Sequence, residues 1–131
     1  RPLETCEIEL GDGAVVVAPT AAEALRVKAY LVVQRNVVRD YLDVVALADH
    51  LGEDAAVDVL SNIDAYYVDR SGETGSVLTS LVAALADPQP RDTDVTGELP
   101  RYKGLDERWH AWEDVVAACR GLALRLAGAT G

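Results

Sequence analysis

The sequence predicts a mainly α protein, four to five helices led by a short N-terminal β-hairpin, and three observations carry that reading. Apolar residues recur at helical spacing over most of the chain, strict alternation is confined to residues 1–18, and Gly or Pro clusters punctuate the segments between. The 131 residues suit one domain that buries its core without disulfides or metals. That core must be layered from small aliphatic side chains, because the chain has no Phe, no Met, 2 Trp and 5 Tyr.

In residues 1–18, Cys6, Ile8 and Leu10 alternate with Glu7 and Glu9, and Gly11-Asp12-Gly13 supplies turn chemistry before Ala14 to Ala18. Two strands alone are marginal in water, so the hairpin is expected to pack on helices or on a sheet contributed from outside this chain. Residues 19–86 form a helical core. Thr20 and Glu23 have the spacing of a capping box, and a helical pattern runs from there to about Leu51, where Gly52 stops it. The β-branched pairs Val32-Val33 and Val37-Val38 weaken propensity around Asn36 and leave room for a break.

A second helix is expected over Asp54 to Val68, with Ala56, Leu60, Ile63 and Tyr67 on its apolar face, closed by a loop at Ser71 to Gly75. A third covers Ser76 to Ala86. Residues 87–105, rich in Pro, Asp, Thr and Gly, read as an exposed connector. Asp106 then caps a last helix over residues 106–127, with Trp112, Val115, Val116, Cys119, Leu122 and Leu126 on one face.

A net charge of −10, from 22 acidic against 12 basic residues, repels a phosphate backbone and argues against nonspecific nucleic-acid binding. Cys6 and Cys119 lack metal-ligand spacing, and His50 and His110 are far apart, so no metal site and no disulfide framework is signalled. No apolar run reaches the roughly 18 to 20 residues of a membrane span. These features lead to the expectation of a cytoplasmic protein with no membrane partner.

On one continuous helix of about 100° per residue, Lys28, Arg35, Arg39 and Asp43 fall within a sector of about 80°. The plainer reading is a solvated stripe in which Arg35 and Arg39 pair with Asp43. Lys28 is one of only two lysines, and a compact ammonium on such a stripe is suited to phosphate contact.

Lys28-x6-Arg35-x3-Arg39-Asp40-x2-Asp43, followed by Val44-Val45-Ala46-Leu47-Ala48, resembles the helical motif of bacterial abortive-infection nucleotidyltransferase toxins of the AbiEii type. Looser similarity extends from the hairpin to Gly52 and to Tyr102-Lys103-Gly104-Leu105-Asp106 with Trp109 and Trp112. The resemblance implies the helical part of a nucleotidyltransferase-like fold, a fragment lacking its N-terminal catalytic half. The complete enzyme would transfer a nucleotidyl group from an NTP to an acceptor such as RNA, using Mg²⁺.

It further implies Lys28, Asp43 and Asp40 as catalytic residues, with Lys28, Arg35 and Arg39 binding the triphosphate. Asp43 is favoured over Asp40, which projects about 60° or more from the stripe. No Gly-Ser motif with a downstream Asp-x-Asp is present, so no cofactor is evident for this chain alone and the fragment is expected to be inactive. A cognate antitoxin, the N-terminal half and RNA are the implied partners. The alternative is a non-catalytic helical module that binds a partner through Tyr66-Tyr67 or Trp109-Trp112.

Overall fold

The structure, a computed structural model, describes residues 3–67, 76–102 and 104–130. A hairpin of β1 (Thr5–Glu9) and β2 (Val15–Pro19) precedes helices α1 (Ala21–Arg35), α2 (Val38–Leu51), α3 (Glu53–Ser61), α4 (Val77–Ala86) and α5 (Trp112–Thr130). Short 3₁₀ turns lie at Ile63–Tyr66, Thr93–Arg101 and Glu107–Trp109. The protein is therefore mainly α with an N-terminal hairpin. The expected loop at Ser71 to Gly75, together with Val68 and Lys103, lies outside the described residues.

The helical pattern from Thr20 to Leu51 is two helices, not one. Asn36 adopts the left-handed conformation at φ 53° and ψ 54°, which Asn tolerates better than most side chains, and its N–H still donates to the Val32 carbonyl at 3.1 Å. Its side chain fixes the turn in two directions, donating to the Gln89 carbonyl at 2.8 Å and accepting the Tyr41 hydroxyl at 2.5 Å. With only Asn36 and Val37 between them, α1 and α2 fold back on each other. Val37 offers no capping oxygen, so Asp92 supplies one from a distance, accepting the Val38 N–H at 2.8 Å.

That bond gives residues 87–105, read as an exposed connector, an anchoring role as well. Arg91 donates from its backbone to the Asn36 carbonyl and from its side chain to the Arg35 carbonyl, each at 2.8 Å, and Leu99 is fully buried. The segment is stitched to the end of the α1–α2 pair. The helix expected from Asp54 ends early, at Ser61. There the Ser61 hydroxyl donates to the Val57 carbonyl and the Asn62 amide to the Asp58 carbonyl, competing with the helical backbone donors. Asp106 does cap, but it caps the 3₁₀ turn through the Arg108 N–H, and α5 begins only at Trp112.

The capping box at the start of α1 is half formed. Thr20 accepts the Glu23 N–H at 3.1 Å, but the Glu23 carboxylate turns away to accept the Glu4 N–H at 2.8 Å. This reaches back to the hairpin and ties it to α1.

Leu25, Ala29 and Val32 of α1 meet Val38, Tyr41 and Val45 of α2 in the core, closed from the far side by α3, α4 and α5. Ala29 has no exposed surface, and such small side chains let helix axes approach closely. Cys119 lies in this core, and burial pushes its thiol up to about 12, whereas Cys6 on β1 is exposed. In native protein at neutral pH a thiol reagent is expected to modify Cys6 alone, and Cys119 to react only after denaturant is added. Reaction of both thiols at similar rates in the native state would contradict this core.

Candidate functional site

Folding the chain at Asn36 rearranges the predicted charged stripe. Lys28 on α1 and Arg39 on α2 converge on one carboxylate, with Lys28 Nζ 3.1 Å and Arg39 Nε 3.5 Å from Asp43. Arg35 does not join them. Its fork closes on Asp40, with Nε 2.9 Å and Nη2 2.6 Å from the two carboxylate oxygens, and this carboxylate is fully buried. Asp40 also sits in the first turn of α2, where the helix dipole favours a negative charge. Asp40 keeps the Arg35 guanidinium charged and raises its pKa, while Arg35 remains half exposed.

The expected pairing of Arg35 with Asp43 is therefore corrected to Arg35 with Asp40. The reason is the turn, which swings α2 round so that Asp40 lies beneath the last residue of α1. Arg39 also reaches the Tyr102 ring, 5.6 Å from its centroid, and burial raises the Tyr102 hydroxyl pKa. The geometry is that of a brace. Lys28–Asp43 spans the two helices on one flank and Arg35–Asp40 locks their closed end.

Both groups at the Lys28–Asp43 contact retain solvent access, so screening limits what the pair contributes. A double-mutant cycle with Lys28→Ala and Asp43→Ala, read by urea unfolding, is expected to give a coupling of about 0.5 kcal/mol that fades at high salt. A coupling several times larger would mean the pair is far less hydrated than its exposure indicates.

Sequence reading missed a second ionic group. Glu23 and Arg26, both on α1, are buried, and Arg26 pairs with Glu4 and lies 3.6 Å from Glu23 while stacking over the Tyr66 ring at 3.9 Å. The signal was available, because Ala22, Arg26, Ala29 and Val33 share the spacing of an apolar helix face. A charge at such a position needs buried partners. Arg26 Nε is the one buried side-chain polar atom among the described residues with no hydrogen bond.

Where α2, α3 and α5 meet, a cavity of about 250 Å³ is floored by Val45, Ala48, Trp109 and Leu122 and rimmed by Asp49, Glu53 and Arg108. Arg108 bonds Asp49 across it and stacks on Trp109, which is a core residue, while His110 is held by the Leu105 carbonyl at 3.1 Å. Tyr66 and Tyr67 are half buried against α1, Tyr67 stacking on Tyr30 with ring centroids 4.2 Å apart. Among the described residues no group of three or more His, Cys, Asp or Glu could hold a metal ion.

A helical unit braced by ion pairs at its seams finds its likeness in segments of transport proteins. A stretch of 126 residues is 37% identical to the mycolic acid-containing lipids exporter MmpL11 of Mycolicibacterium smegmatis, covering 95% of this chain and 13% of that protein. Identity is 36% over 125 residues to the heme uptake protein MmpL11 of Mycobacterium tuberculosis, and 32% to the probable transport protein MmpL11 of Mycobacterium leprae, each covering 95% of this chain and 12% of the relative. The chain thus spans about one-eighth of the length of these curated relatives. No family model and no solved structure matches it.

These relatives overturn the likeness to AbiEii-type nucleotidyltransferase toxins, and with it the toxin function and the antitoxin and RNA partners. Lys-Arg-Arg-Asp spacing alone cannot separate a phosphate-binding stripe from a braced helix pair, because both place charges at helical intervals. The expectations of a cytoplasmic setting and of no membrane partner are overturned with it, since the relatives are named as a lipid exporter and as transport proteins. No helix among the described residues is long and apolar enough to cross a membrane.

Proposed function

We propose that this chain acts as a helical segment of a transport protein of the MmpL11 kind, contributing to the export of mycolic acid-containing lipids. The observation that carries the reading is identity of 36–37% running through 95% of the chain, hairpin and helices together. In this reading the ion pairs of α1 and α2 hold a rigid unit in shape, and Lys28, Arg35, Arg39, Asp40 and Asp43 serve that rigidity.

A segment exchange tests the proposal. The matching stretch of the M. smegmatis exporter is deleted or replaced by this chain, and the mycolic acid-containing lipids reaching the cell surface are measured. Export is expected to fail in the deletion and to return in the exchange. An exchange that behaves like the deletion, or a deletion that exports normally, would refute it.

A further inference from the structure

The hairpin leaves apolar surface uncovered. Ile8, Val15, Val16 and Val17 are all exposed, Val17 at 65%, and Leu3 and Leu10 at its borders are exposed as well. Among the described residues, six of the seven exposed large hydrophobic side chains therefore lie in or beside the hairpin, with Leu124 of α5 the exception. These side chains stand on both faces of the hairpin, Ile8 and Val16 on one and Val15 and Val17 on the other. Its attachment is firm at the base, where Glu4 is bonded to Glu23 and Arg26.

The two edges of the hairpin differ. Thr20 N–H donates to the Glu4 carbonyl and Leu10 N–H to the Ala14 carbonyl, which sets the phase of the ladder. By antiparallel alternation Cys6 and Ile8 turn their backbone groups toward β2, while Thr5, Glu7 and Glu9 turn theirs outward. On β2 the outward positions are Val15, Val17 and Pro19, and Pro19 has no N–H to offer. The sheet has no third strand among the described residues.

Charge then selects the occupant. Glu7 and Glu9 stand opposite Val17 and Val15, so neither has a cation across the ladder. A second copy pairing through β1 would set these glutamates beside their counterparts, with a net charge of −10 on each molecule. Anionic lipid headgroups would be repelled by Glu7, Glu9 and Asp12 alike. An extended segment with cationic side chains over Glu7 and Glu9 and aliphatic ones over the Cys6–Ile8 face satisfies both surfaces and the free backbone groups.

We propose that the outer edge of β1 accepts an extended strand in which basic and aliphatic residues alternate. This stands apart from the transport reading, because it rests on the hairpin's geometry and charge. The probe is a labelled octapeptide of alternating Lys and Val, titrated into the full chain and followed by anisotropy, with backbone amide shifts mapping the contact.

Expected are binding that moves the Thr5, Glu7 and Glu9 amides, at least tenfold weaker binding of a peptide of the same composition in blocked order, and the same loss in a Glu7→Lys, Glu9→Lys double variant. That variant should instead gain affinity for an alternating Glu and Val peptide, with its helical circular dichroism unchanged. Equal binding of both peptide orders, shifts confined to Val15 and Val17, self-association through β1 without peptide preference, or adsorption to anionic vesicles would each overturn the proposal.

Discussion

Arg26→Ala is expected to destabilise the protein by about 3 kcal/mol, the cost of removing one partner from a buried ionic group. Glu23, fully buried, would lose the guanidinium 3.6 Å away, and Tyr66 would lose the cation stacked on it. Glu4, by contrast, can turn to water, since its side chain is half exposed. Thermal unfolding should shift down by roughly 10 °C for a chain of this size. Because Glu4 leads into β1, amide exchange in the hairpin should rise more than exchange in α4. The double replacement Glu23→Leu, Arg26→Met, which removes both buried charges, is expected to recover much of the loss. If Arg26→Ala alone were neutral, the buried ionic anchor would have no energetic role.

Tyr41→Ala is the second large effect, at about 3 to 4 kcal/mol by analogy with other large aromatic truncations. Tyr41 is the largest fully buried side chain among the described residues, packs edge-on against Trp112 with centroids 6.1 Å apart, and bonds Asn36 at the α1–α2 turn. Tyr41→Phe keeps the ring and removes only the bond to Asn36, so about 1 kcal/mol is expected. Burial, with smaller contributions from Cys119 and Asp87, raises the Tyr41 hydroxyl from 10.0 to about 12. The folded state thus favours the neutral phenol. This contribution is complete below pH 10 and declines as pH rises toward 12, since the unfolded chain ionises first. Alkaline unfolding monitored through tyrosinate absorbance should therefore come later in Tyr41→Phe than its neutral-pH stability would indicate.

The fold class and most helices were legible because their apolar residues keep helical spacing, as Leu81 and Leu85 do in α4 and Val115, Cys119, Leu122 and Leu126 in α5. The break at Asn36 was only half legible. β-branched pairs on either side suggested weak propensity, but the left-handed turn is held by Gln89, Arg91 and Tyr41, none of which is next to it in sequence. The candidate site suffered most from that. A stripe drawn on one straight helix joined Arg35 to Asp43, whereas the turn gave Arg35 to Asp40 and brought Lys28 to Asp43 from the other helix. The anchoring of residues 87–105 was not legible for a related reason. Pro and Gly content reports local conformation and is silent about the long-range bond from Asp92 to Val38.

The two-residue link at Asn36 and Val37 also bears on the order of events as the chain folds. Helices joined so closely meet after a very small loop closure, so their contacts cost little chain entropy and can form within microseconds. Pairing of α1 with α2 is accordingly placed ahead of the docking of α5, whose Arg125 finds its partners Glu53 and Asp54 dozens of residues away. Mutations at the turn should slow folding, while mutations along α5 should chiefly hasten unfolding. In a nascent chain emerging from the ribosome, the braced pair would be assembled before α5 had been made.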